Sequence, residues 1–467
     1  MENYLSEGKE ELHQYDDLLN RLGSHLGQDV HLVGGPVRDT LMGRKSKDTD
    51  VMTVGGLQKI HDKGWTPIKK DFPVFTHREF PGVELALGRG EKKTGAGHTG
   101  FDWHESPDVE TDLARRDFTI NAMAYHPKKG VIDPHGGQQD IEKKVLRPTT
   151  DAFSEDPLRV LRGARFRATK LPDFEVDPET IHRFHKANAE LGTLSKERVR
   201  DEVKRSLAGQ APEKFFQTLK QTKSLSHWFP EIEKTIDVPA GDPKHHPEGD
   251  TFTHTMHALQ HGAKHGHSPE AQEFTLVHDL GKAETPREQW PKHHGHDERT
   301  GPAVSFAQRL GLGQGTEKKW STHVRKHMMP YLADKLRPGS WADYRNTVKN
   351  IEEPHFQSVE ADYHGRGIER PPFKKLELAK KAFAAIKGVK IEPGTHPQKI
   401  KQMQGMAAKK AVQNVDEDLN TNSGLSNASG MSTTGAGAEL GPAPVNKVKG
   451  GVKKLKPVAY SSRTGNG

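Results

Sequence analysis

Near the start of the chain, short apolar segments alternate with short polar ones. The apolar residues 31–33 (HLV) predict a strand that ends at two glycines, and residues 37–42 predict the first turns of a helix. Residues 50–54 (DVMTV) predict the next strand, and the alternation at residues 83–87 (VELAL) predicts another. We expect Glu84 on the solvated face of that strand rather than as a third carboxylate beside a metal.

The chemistry of this region begins at the two glycines. Gly34 and Gly35 lack a Cβ, so the backbone can approach a triphosphate closely, and the positive end of the following helix favours anionic oxygens. Asp48 and Asp50 lie two residues apart, so both carboxylates face the same side of the predicted strand. Two hard oxygen ligands suit Mg²⁺, which binds through one or two carboxylates plus substrate phosphates. A phosphate cradle beside such a carboxylate pair indicates nucleotidyl transfer.

These residues resemble the head domain of class II tRNA nucleotidyltransferases, the CCA-adding enzymes. That family shares the DNA polymerase beta superfamily fold with bacterial poly(A) polymerases. The resemblance implies an α+β fold with a polymerase beta-like head followed by a helical neck and body. It also implies addition of CCA to tRNA from CTP and ATP without a nucleic-acid template. It also implies that Gly34, Gly35 and Arg38 bind the triphosphate, and that Asp48 and Asp50 hold two Mg²⁺ ions.

Three further segments match the same family. Residues 112–124 (DLARRDFTINAMA) resemble its Arg-Arg-Asp block, which implies ribose and triphosphate contacts at the start of a helix, with Arg116 and Asp117 on the ribose side. A helix with a charged first turn is the alternative. Residues 132–141 (IDPHGGQQDI) resemble the hinge between head and neck. Residues 195–202 (SKERVRDE) resemble a capped helix that braces the neck.

The segment EDPLRVLRGARF at residues 155–166 has chemistry that can be argued from its side chains. Its proline suits the first turn of a helix, which puts Asp156 and Arg159 on one face. A carboxylate accepts from an exocyclic amine and a guanidinium donates to a ring nitrogen, so the pair fits cytosine and adenine but not uracil or guanine. In the family this motif selects the base, and the resemblance assigns Arg162 and Arg165 to nucleotide binding. The alternative is an amphipathic helix with solvated arginines.

A second set of candidate catalytic residues follows the predicted neck. His254, the doublet His278 and Asp279, and Asp362 resemble the ligand set of an HD phosphohydrolase domain. Imidazoles with carboxylates suit a transition metal such as Ni²⁺, Co²⁺ or Mn²⁺ better than Mg²⁺, and the apolar residues 274–277 indicate a buried position. Similar HD domains follow the polymerase domains of gammaproteobacterial CCA enzymes, which implies phosphatase and 2′,3′-cyclic phosphodiesterase activity.

The nearby segment HHGH at residues 293–296 is expected to be a polar loop. The alternative is that its histidines add ligands or contact phosphate.

Composition agrees with this interpretation. A length of 467 residues allows about three domains, and the formal net charge of +7 suits tRNA as a partner. The absence of cysteine excludes disulfides and thiolate zinc sites. The first residues carry no signal-peptide pattern and no apolar run reaches membrane length, so we expect a cytoplasmic protein without a membrane partner. Monomer and homodimer both stay open.

Five segments are expected along the chain. They are an N-terminal extension (1–28), a nucleotidyltransferase head (29–143), a helical neck and body (144–241), an all-α HD domain (242–390), and a linker with a disordered basic tail (391–467). From about Asn414 the composition turns to Gly, Ser, Thr, Asn and Ala without periodicity, which predicts disorder. An RNA-gripping arm is the alternative for the basic tail.

Three rival functions share parts of this pattern. A bacterial poly(A) polymerase carries a Gly-Arg-Arg-Phe signature after the Asp pair, where this chain has KKDFPVFTH at residues 69–77. A split A-adding or CC-adding enzyme differs in a flexible head loop that one sequence does not distinguish. An HD phosphohydrolase that used the head only to bind RNA would have no need of Asp48 and Asp50.

Overall fold

The computed structural model describes residues 2–424, except residues 47, 70–71 and 94–100. Two expectations therefore lie outside the described residues. They are the central Lys70 and Asp71 of the segment that argued against a poly(A) polymerase, and the basic tail beyond Gly424.

The strands of the described residues form one large sheet and two small ribbons. They are β1 (Val30–Val33), β2 (Thr49–Thr53), β3 (Thr66–Lys69), β4 (Phe72–His77), β5 (Phe80–Leu87), β6 (Arg89–Lys93), β7 (Phe101–Glu105), β8 (Ala124–His126), β9 (Gly130–Ile132), β10 (Val145–Leu146) and β11 (Glu175–Val176). The large sheet has the order β3-β4-β5-β2-β1-β8-β9. Its pairs are antiparallel except β2 with β5, which run parallel.

Helices surround this sheet and make up nearly all of the later chain. They are α1 (Glu2–Glu11), α2 (Asp16–Leu26), α3 (Gly35–Leu41), α4 (Leu57–Asp62), α5 (Val109–Ala114), α6 (Gly137–Lys143), α7 (Leu158–Thr169), α8 (Pro178–Asn188), α9 (Lys196–Leu207), α10 (Glu213–Gln221), α11 (Pro230–Glu233), α12 (Thr251–Lys264), α13 (Pro269–Val277), α14 (Gly301–Arg309), α15 (Gln314–Lys326), α16 (Pro338–Val348), α17 (Glu352–His364), α18 (Lys374–Lys387) and α19 (Pro397–Gly424). Every described element from α12 onward is an α-helix or a short 3-10 helix.

The predicted first strand and helix are present as β1 and α3. All four residues of β1 are buried, because its neighbours β2 and β8 cover both edges and helices cover its faces. The turn between them requires glycine, since Gly34 has φ 71° and a Cβ there would lie 2.8 Å from Arg116 Nη1. The second strand also forms, beginning at Thr49 rather than at Asp50.

The helix α7 joins the sheet-containing part to the helices that follow. Its Gly163 lets two phenylalanines approach, because a Cβ there would lie 2.8 Å from Phe118 and 2.8 Å from Phe184. Phe153 stacks on Phe184 with 5.3 Å between ring centroids and meets Phe118 edge-on. This apolar packing holds α7 against the segment that resembles the Arg-Arg-Asp block.

The structure corrects one expectation about local structure, namely that the Arg-Arg-Asp segment starts a helix. The helix α5 already begins at Val109, where the Asp108 carboxylate caps it by accepting from the Thr111 amide at 2.7 Å, and it ends at Ala114, before Arg116 and Asp117. The last helix, α19, runs from Pro397 to Gly424 and so extends past Asn414, where the composition changes.

Candidate functional site

Three carboxylates meet at one end of the parallel pair β2 and β5. Asp48 directly precedes β2, and Asp50 is its second residue. The parallel register pairs Asp50 with Glu84 of β5, which is solvent-exposed as expected but lies beside Asp50. The pairing across two strands thus brings a third carboxylate to the predicted pair.

The charges of these carboxylates act on one another. Burial, and after it the negative charges of Glu84 and Asp48, raise the pKa of Asp50 to about 6, whereas Arg116 and Lys170 act in the opposite direction. A divalent cation would offset this repulsion, and oxygen donors of this kind are the ligands that Mg²⁺ prefers. The donor set therefore fits a magnesium site.

Arg116 is held beside the glycine turn by a buried carboxylate. Asp112 is 1% exposed and accepts from the Arg116 guanidinium at 2.9 Å and from Arg115 at 2.6 Å. Burial alone would raise the pKa of Asp112, but the two arginines, Arg116 first, keep it below its usual value. Asp112 was not among the predicted site residues, although its spacing of three and four residues from two arginines was a readable signal.

Arg38 is enclosed instead of facing an open cleft. It is 2% exposed, pairs with the Asp39 carboxylate at 2.5 Å, and donates to the Asn121 side chain. Asn121 in turn donates to Asp117 at 2.9 Å, and Lys170 pairs with Asp39 at 2.8 Å. Arg38 thus belongs to a polar network that joins α3 to α7.

Asp117 is the link between that network and α7. One of its oxygens accepts from the Phe118 amide and from Asn121, and the other accepts from the Arg162 guanidinium at 2.7 Å. Burial alone would raise the pKa of Asp117, but the charge of Arg162 and these hydrogen bonds lower it to about 2. Asp117 is therefore ionised and fixed in place.

The side chains predicted to select the base, those of Asp156 and Arg159, form hydrogen bonds with the protein backbone. Asp156 is half-buried and lies just before α7, where its carboxylate accepts from the Leu158 amide at 3.0 Å. Arg159 is buried and donates to the carbonyls of Ala152 at 2.9 Å and Arg115 at 2.6 Å. Because α7 begins only at Leu158, Asp156 lies before the helix and Arg159 lies within it, so the two do not share a helical turn as expected.

Arg165 pairs with Glu202 of α9, while Arg162 pairs with Asp117. The expectation of a capped helix at residues 195–202 is confirmed, since α9 follows Ser195 and the Ser195 hydroxyl accepts from the Arg198 amide. Through Arg165, this helix braces α7.

The predicted HD residues come together in the interior of the later helices. His254 Nε2 lies 3.0 Å from an Asp362 oxygen and 4.0 Å from an Asp279 oxygen, and His278 Nε2 lies 3.1 Å from Asp279 and 3.7 Å from Asp362. All four residues are less than 10% exposed. Lys282, one helical turn after Asp279, contacts the Asp279 carboxylate at 2.7 Å.

Two further histidines reach the same carboxylate from other elements. His296 Nε2 lies 3.3 Å and His327 Nε2 lies 3.8 Å from the second oxygen of Asp279. The expectation of a polar loop at residues 293–296 is therefore wrong for His296, which is buried because the loop folds inward. His327 was missed, since in a chain with 28 histidines its isolated position in sequence carries no signal.

The hydrogen bonds of these imidazoles prepare them as ligands. The Nδ1 atoms of His278, His296 and His327 lie 2.7–3.0 Å from the backbone carbonyls of Thr275, His293 and Val324 respectively. Because a carbonyl only accepts, each Nδ1 carries the proton and each Nε2 presents a lone pair. Within the described residues, His278 Nε2 and Asp279 Oδ1 are buried and make no hydrogen bond of regular geometry, although both lie within 3.1–3.3 Å of the atoms named above.

His254 is oriented by a carboxylate that sequence reasoning missed. The Glu248 side chain is fully buried, and its carboxylate lies 2.8 Å from His254 Nδ1 and 2.9 Å from His246 Nδ1. Burial alone would lower the pKa of His254, but Asp362 and Glu248 raise it to about 9 in the absence of a cation. Tyr331 donates to Asp362 at 2.9 Å. Nitrogen and carboxylate donors in this arrangement fit one or two transition-metal ions.

Among the helices that the structure describes, none has the length and apolar content needed to cross a bilayer.

Comparison with known protein families matches two parts of the chain. The poly A polymerase head domain matches residues 30–147. The probable RNA and SrmB-binding site of polymerase A matches residues 173–236. The first match contains the three carboxylates and the glycine turn, and the second begins after α7.

Solved structures of similar fold include the Thermotoga maritima CCA-adding enzyme complexed with tRNA, with a TM-score of 0.57 and 18% identity over 88% of this chain and 96% of that one. The Bacillus stearothermophilus CCA-adding enzyme in complex with CTP has a TM-score of 0.54 and 19% identity over 91% of this chain and 100% of that one. At these identities the likeness shows the fold alone.

Much higher identity relates the chain to multifunctional CCA proteins. That of Acinetobacter baumannii strain AYE is 38% identical over 376 residues, which is 78% of this chain and 91% of the relative. That of Nitrosococcus oceani is 39% identical over 377 residues, which is 78% of this chain and 92% of the relative. With this identity over nine-tenths of each relative, the chain belongs to the multifunctional CCA protein family.

Proposed function

We propose that this protein is a tRNA nucleotidyltransferase that adds or repairs the 3′-terminal CCA of tRNA, using CTP and ATP without a nucleic-acid template. The observation that carries the proposal is the carboxylate set Asp48, Asp50 and Glu84 beside the glycine turn, in a chain related over most of its length to multifunctional CCA proteins. The domain boundaries given above, at residues 28, 143, 241 and 390, are part of this proposal.

Asp48 and Asp50 would hold Mg²⁺, and Glu84 would add a third negative charge. The ions, when bound, would lower the pKa of the tRNA 3′-hydroxyl and neutralise the triphosphate. The hydroxyl oxygen forms a bond to the α-phosphorus of the nucleotide as the bond to pyrophosphate breaks. In this role the carboxylates set the position at which the new phosphodiester forms.

Gly34 and Gly35 would let the triphosphate approach the backbone, and Arg116 would contact its oxygens. This assignment is supported by Gly34, whose missing Cβ leaves room for the Arg116 guanidinium. Arg38 would act from its buried position by holding the start of α3 through Asp39 and Asn121. Asp117, ionised and paired with Arg162, would hold the ribose side.

Asp156 and Arg159 would choose the base, with Arg165 supporting α7 from the far side. For this, Asp156 would exchange its contact with the Leu158 amide for the exocyclic amine of cytosine or adenine. Arg159 would turn a donor from a backbone carbonyl to the ring nitrogen. The backbone carbonyls of Ala152 and Arg115 now accept the hydrogen bonds from Arg159, and the ring nitrogen of the base would replace one of them as the acceptor.

A second activity is proposed for the later helices, namely a metal-dependent phosphatase and 2′,3′-cyclic phosphodiesterase. It is supported by the buried ligand set His254, His278, Asp279 and Asp362, which suits Ni²⁺, Co²⁺ or Mn²⁺. His296 would join Asp279 as a further ligand, together with His327. A metal there would polarise a phosphate ester, while Lys282 would offset the charge of Asp279.

The test of nucleotidyl transfer uses a tRNA that ends at the discriminator base, supplied with one labelled nucleotide at a time and then with pairs. We expect CTP alone to add two residues, ATP to add one residue only when CTP is present, and UTP and GTP to add none. Repeated addition of ATP without CTP would indicate a poly(A) polymerase. Addition of only C or only A under every condition would indicate a split enzyme.

In this assay the test variant is Asp50→Asn and its matched control is Asp62→Asn. Both remove one carboxylate from the head, but Asp62 is exposed and only accepts a local hydrogen bond from Gln58. Asp62→Asn should therefore keep wild-type incorporation, whereas Asp50→Asn should lose it. Equal rates in the two variants would contradict the assignment of the metal ligands.

A further inference from the structure

Four histidine side chains meet at the far end of α12, about 10 Å along the helix from His254. We call His261, His265, His267 and His364 the histidine cluster. The His261 ring stacks on His265 with 3.9 Å between centroids and on His364 with 4.5 Å. The His267 ring lies 6.0 Å from that of His261 and 6.4 Å from that of His265.

Apolar packing does not explain this arrangement, because the cluster lies at the surface. His265 is exposed, and the other three side chains are half-buried. Among the described residues, His261 Nε2 and His267 Nδ1 are buried without a hydrogen-bond partner. Such nitrogens ordinarily bind a proton donor, water or a metal.

Burial keeps the central ring, His261, neutral. Burial lowers the pKa of His261 to about 3, and the neighbouring His265, His364 and His267 would repel a proton on it. Burial also lowers the pKa of His267, although the nearby Glu360 acts in the opposite direction. Neutral imidazoles are the form that binds metals.

We propose that the histidine cluster is a transition-metal site, separate from the HD ligand set. His261 lies in the last turn of α12 and His265 directly follows this helix, four residues later, a spacing that lets two imidazoles reach one ion. His364 from α17 and His267 would complete a nitrogen donor set that favours Cu²⁺, Ni²⁺ or Zn²⁺ over Mg²⁺.

The rings must turn for an ion to bind. In the described residues no three ligand atoms of this cluster lie within 4.8 Å of one another, because the rings stack face to face. His265 is exposed, so its side chain can rotate, and its Nδ1 lies only 2.8 Å from the His261 carbonyl, which leaves Nε2 as the metal donor. An ion bound there would tie α12 to α17, the helices that carry His254 and Asp362.

The experiment counts Ni²⁺ bound to the full chain after removal of metals with a chelator, by equilibrium dialysis with elemental analysis and by calorimetry. The test variants are His265→Ala and His261→Ala/His265→Ala. The matched control is His182→Ala/His227→Ala, which removes two exposed histidines from elsewhere. A third variant, His278→Ala/Asp279→Ala, disables the HD ligand set.

We expect the His261→Ala/His265→Ala protein to bind one Ni²⁺ fewer than the wild type and the control. The HD variant should keep that ion, and Ni²⁺ should raise its Tm. His265→Ala, whose exposed position spares the fold, should weaken this site at least 10-fold. Unchanged Ni²⁺ stoichiometry and affinity in both cluster variants would overturn the proposal, as would an HD variant that binds no Ni²⁺.

Discussion

Replacing Asp156 with asparagine is expected to change base choice while preserving the helix that carries it. In the structure the Asp156 carboxylate accepts from the Leu158 amide at 3.0 Å, and an asparagine amide oxygen accepts equally well. The remaining side-chain atom changes from an acceptor to an N–H donor. It therefore suits the carbonyl of uracil or guanine instead of the amine of cytosine or adenine.

The size of the change in base preference follows from two contacts. Asp156→Asn loses the contact with the amine of cytosine or adenine and gains one with the carbonyl of uracil or guanine. A good base contact is worth about 1–3 kcal/mol, so the preference for CTP and ATP over UTP and GTP should fall by about 10- to 100-fold. Asp156→Ala should lose the preference and also the helix contact, which costs about 1 kcal/mol of folding free energy. Arg159→Ala should weaken CTP and ATP together, and it should destabilise the fold because the guanidinium holds two backbone carbonyls.

The assay is competitive incorporation of all four nucleotides onto tRNA lacking CCA, read as ratios of kcat/KM. Asp177→Ala is the matched control, since the Asp177 carboxylate caps α8 by accepting from the Thr180 amide at 2.8 Å. It should lower stability like Asp156→Ala but leave the ratios unchanged. Wild-type ratios in Asp156→Asn and Asp156→Ala, with merely slower turnover, would show that the start of α7 is structural and that base selection lies elsewhere.

Three other outcomes are expected. Asp50→Asn should abolish incorporation but leave tRNA affinity in filter binding nearly unchanged, because phosphate contacts dominate that affinity; parallel loss of both would contradict a role in chemistry. A combined His278→Ala and Asp279→Ala variant should lose Ni²⁺-dependent hydrolysis of a 2′,3′-cyclic phosphate and keep CCA addition, whereas a wild-type protein inert with every metal would contradict the hydrolase. Asp117, whose pKa falls to about 2 beside Arg162, should contribute about 2–3 kcal/mol of stability above about pH 4 and lose it as the pH falls toward 2. Denaturant unfolding should show the gap between wild type and Asp117→Asn narrowing over that range, and a constant gap would refute it.

The local pattern of the sequence determined several parts of this protein. The apolar run before two glycines determined β1 and the turn into α3. The run forms a strand that is buried along its length, and the turn needs a positive φ that glycine adopts without strain. Asp48 and Asp50 were readable as a pair because their spacing alone puts two carboxylates on one side of a strand. His278 and Asp279 were readable as a doublet beside an apolar run. In each case the information lies within about ten residues.

Only the tertiary structure decided which distant groups join these residues. Glu84 lies beside Asp50 because β2 and β5 pair in parallel, and a sequence of one strand does not specify its partner or register. His296 and His327 reach the HD ligand set through packing of separate segments, which no spacing in the chain reveals. Arg38, which looked free to bind phosphate, is buried because Asn121 folds over it from a segment more than eighty residues away. Local sequence patterns therefore identify the candidate reacting groups. Long-range packing determines which residues contact these groups, whether they are charged and how exposed they are.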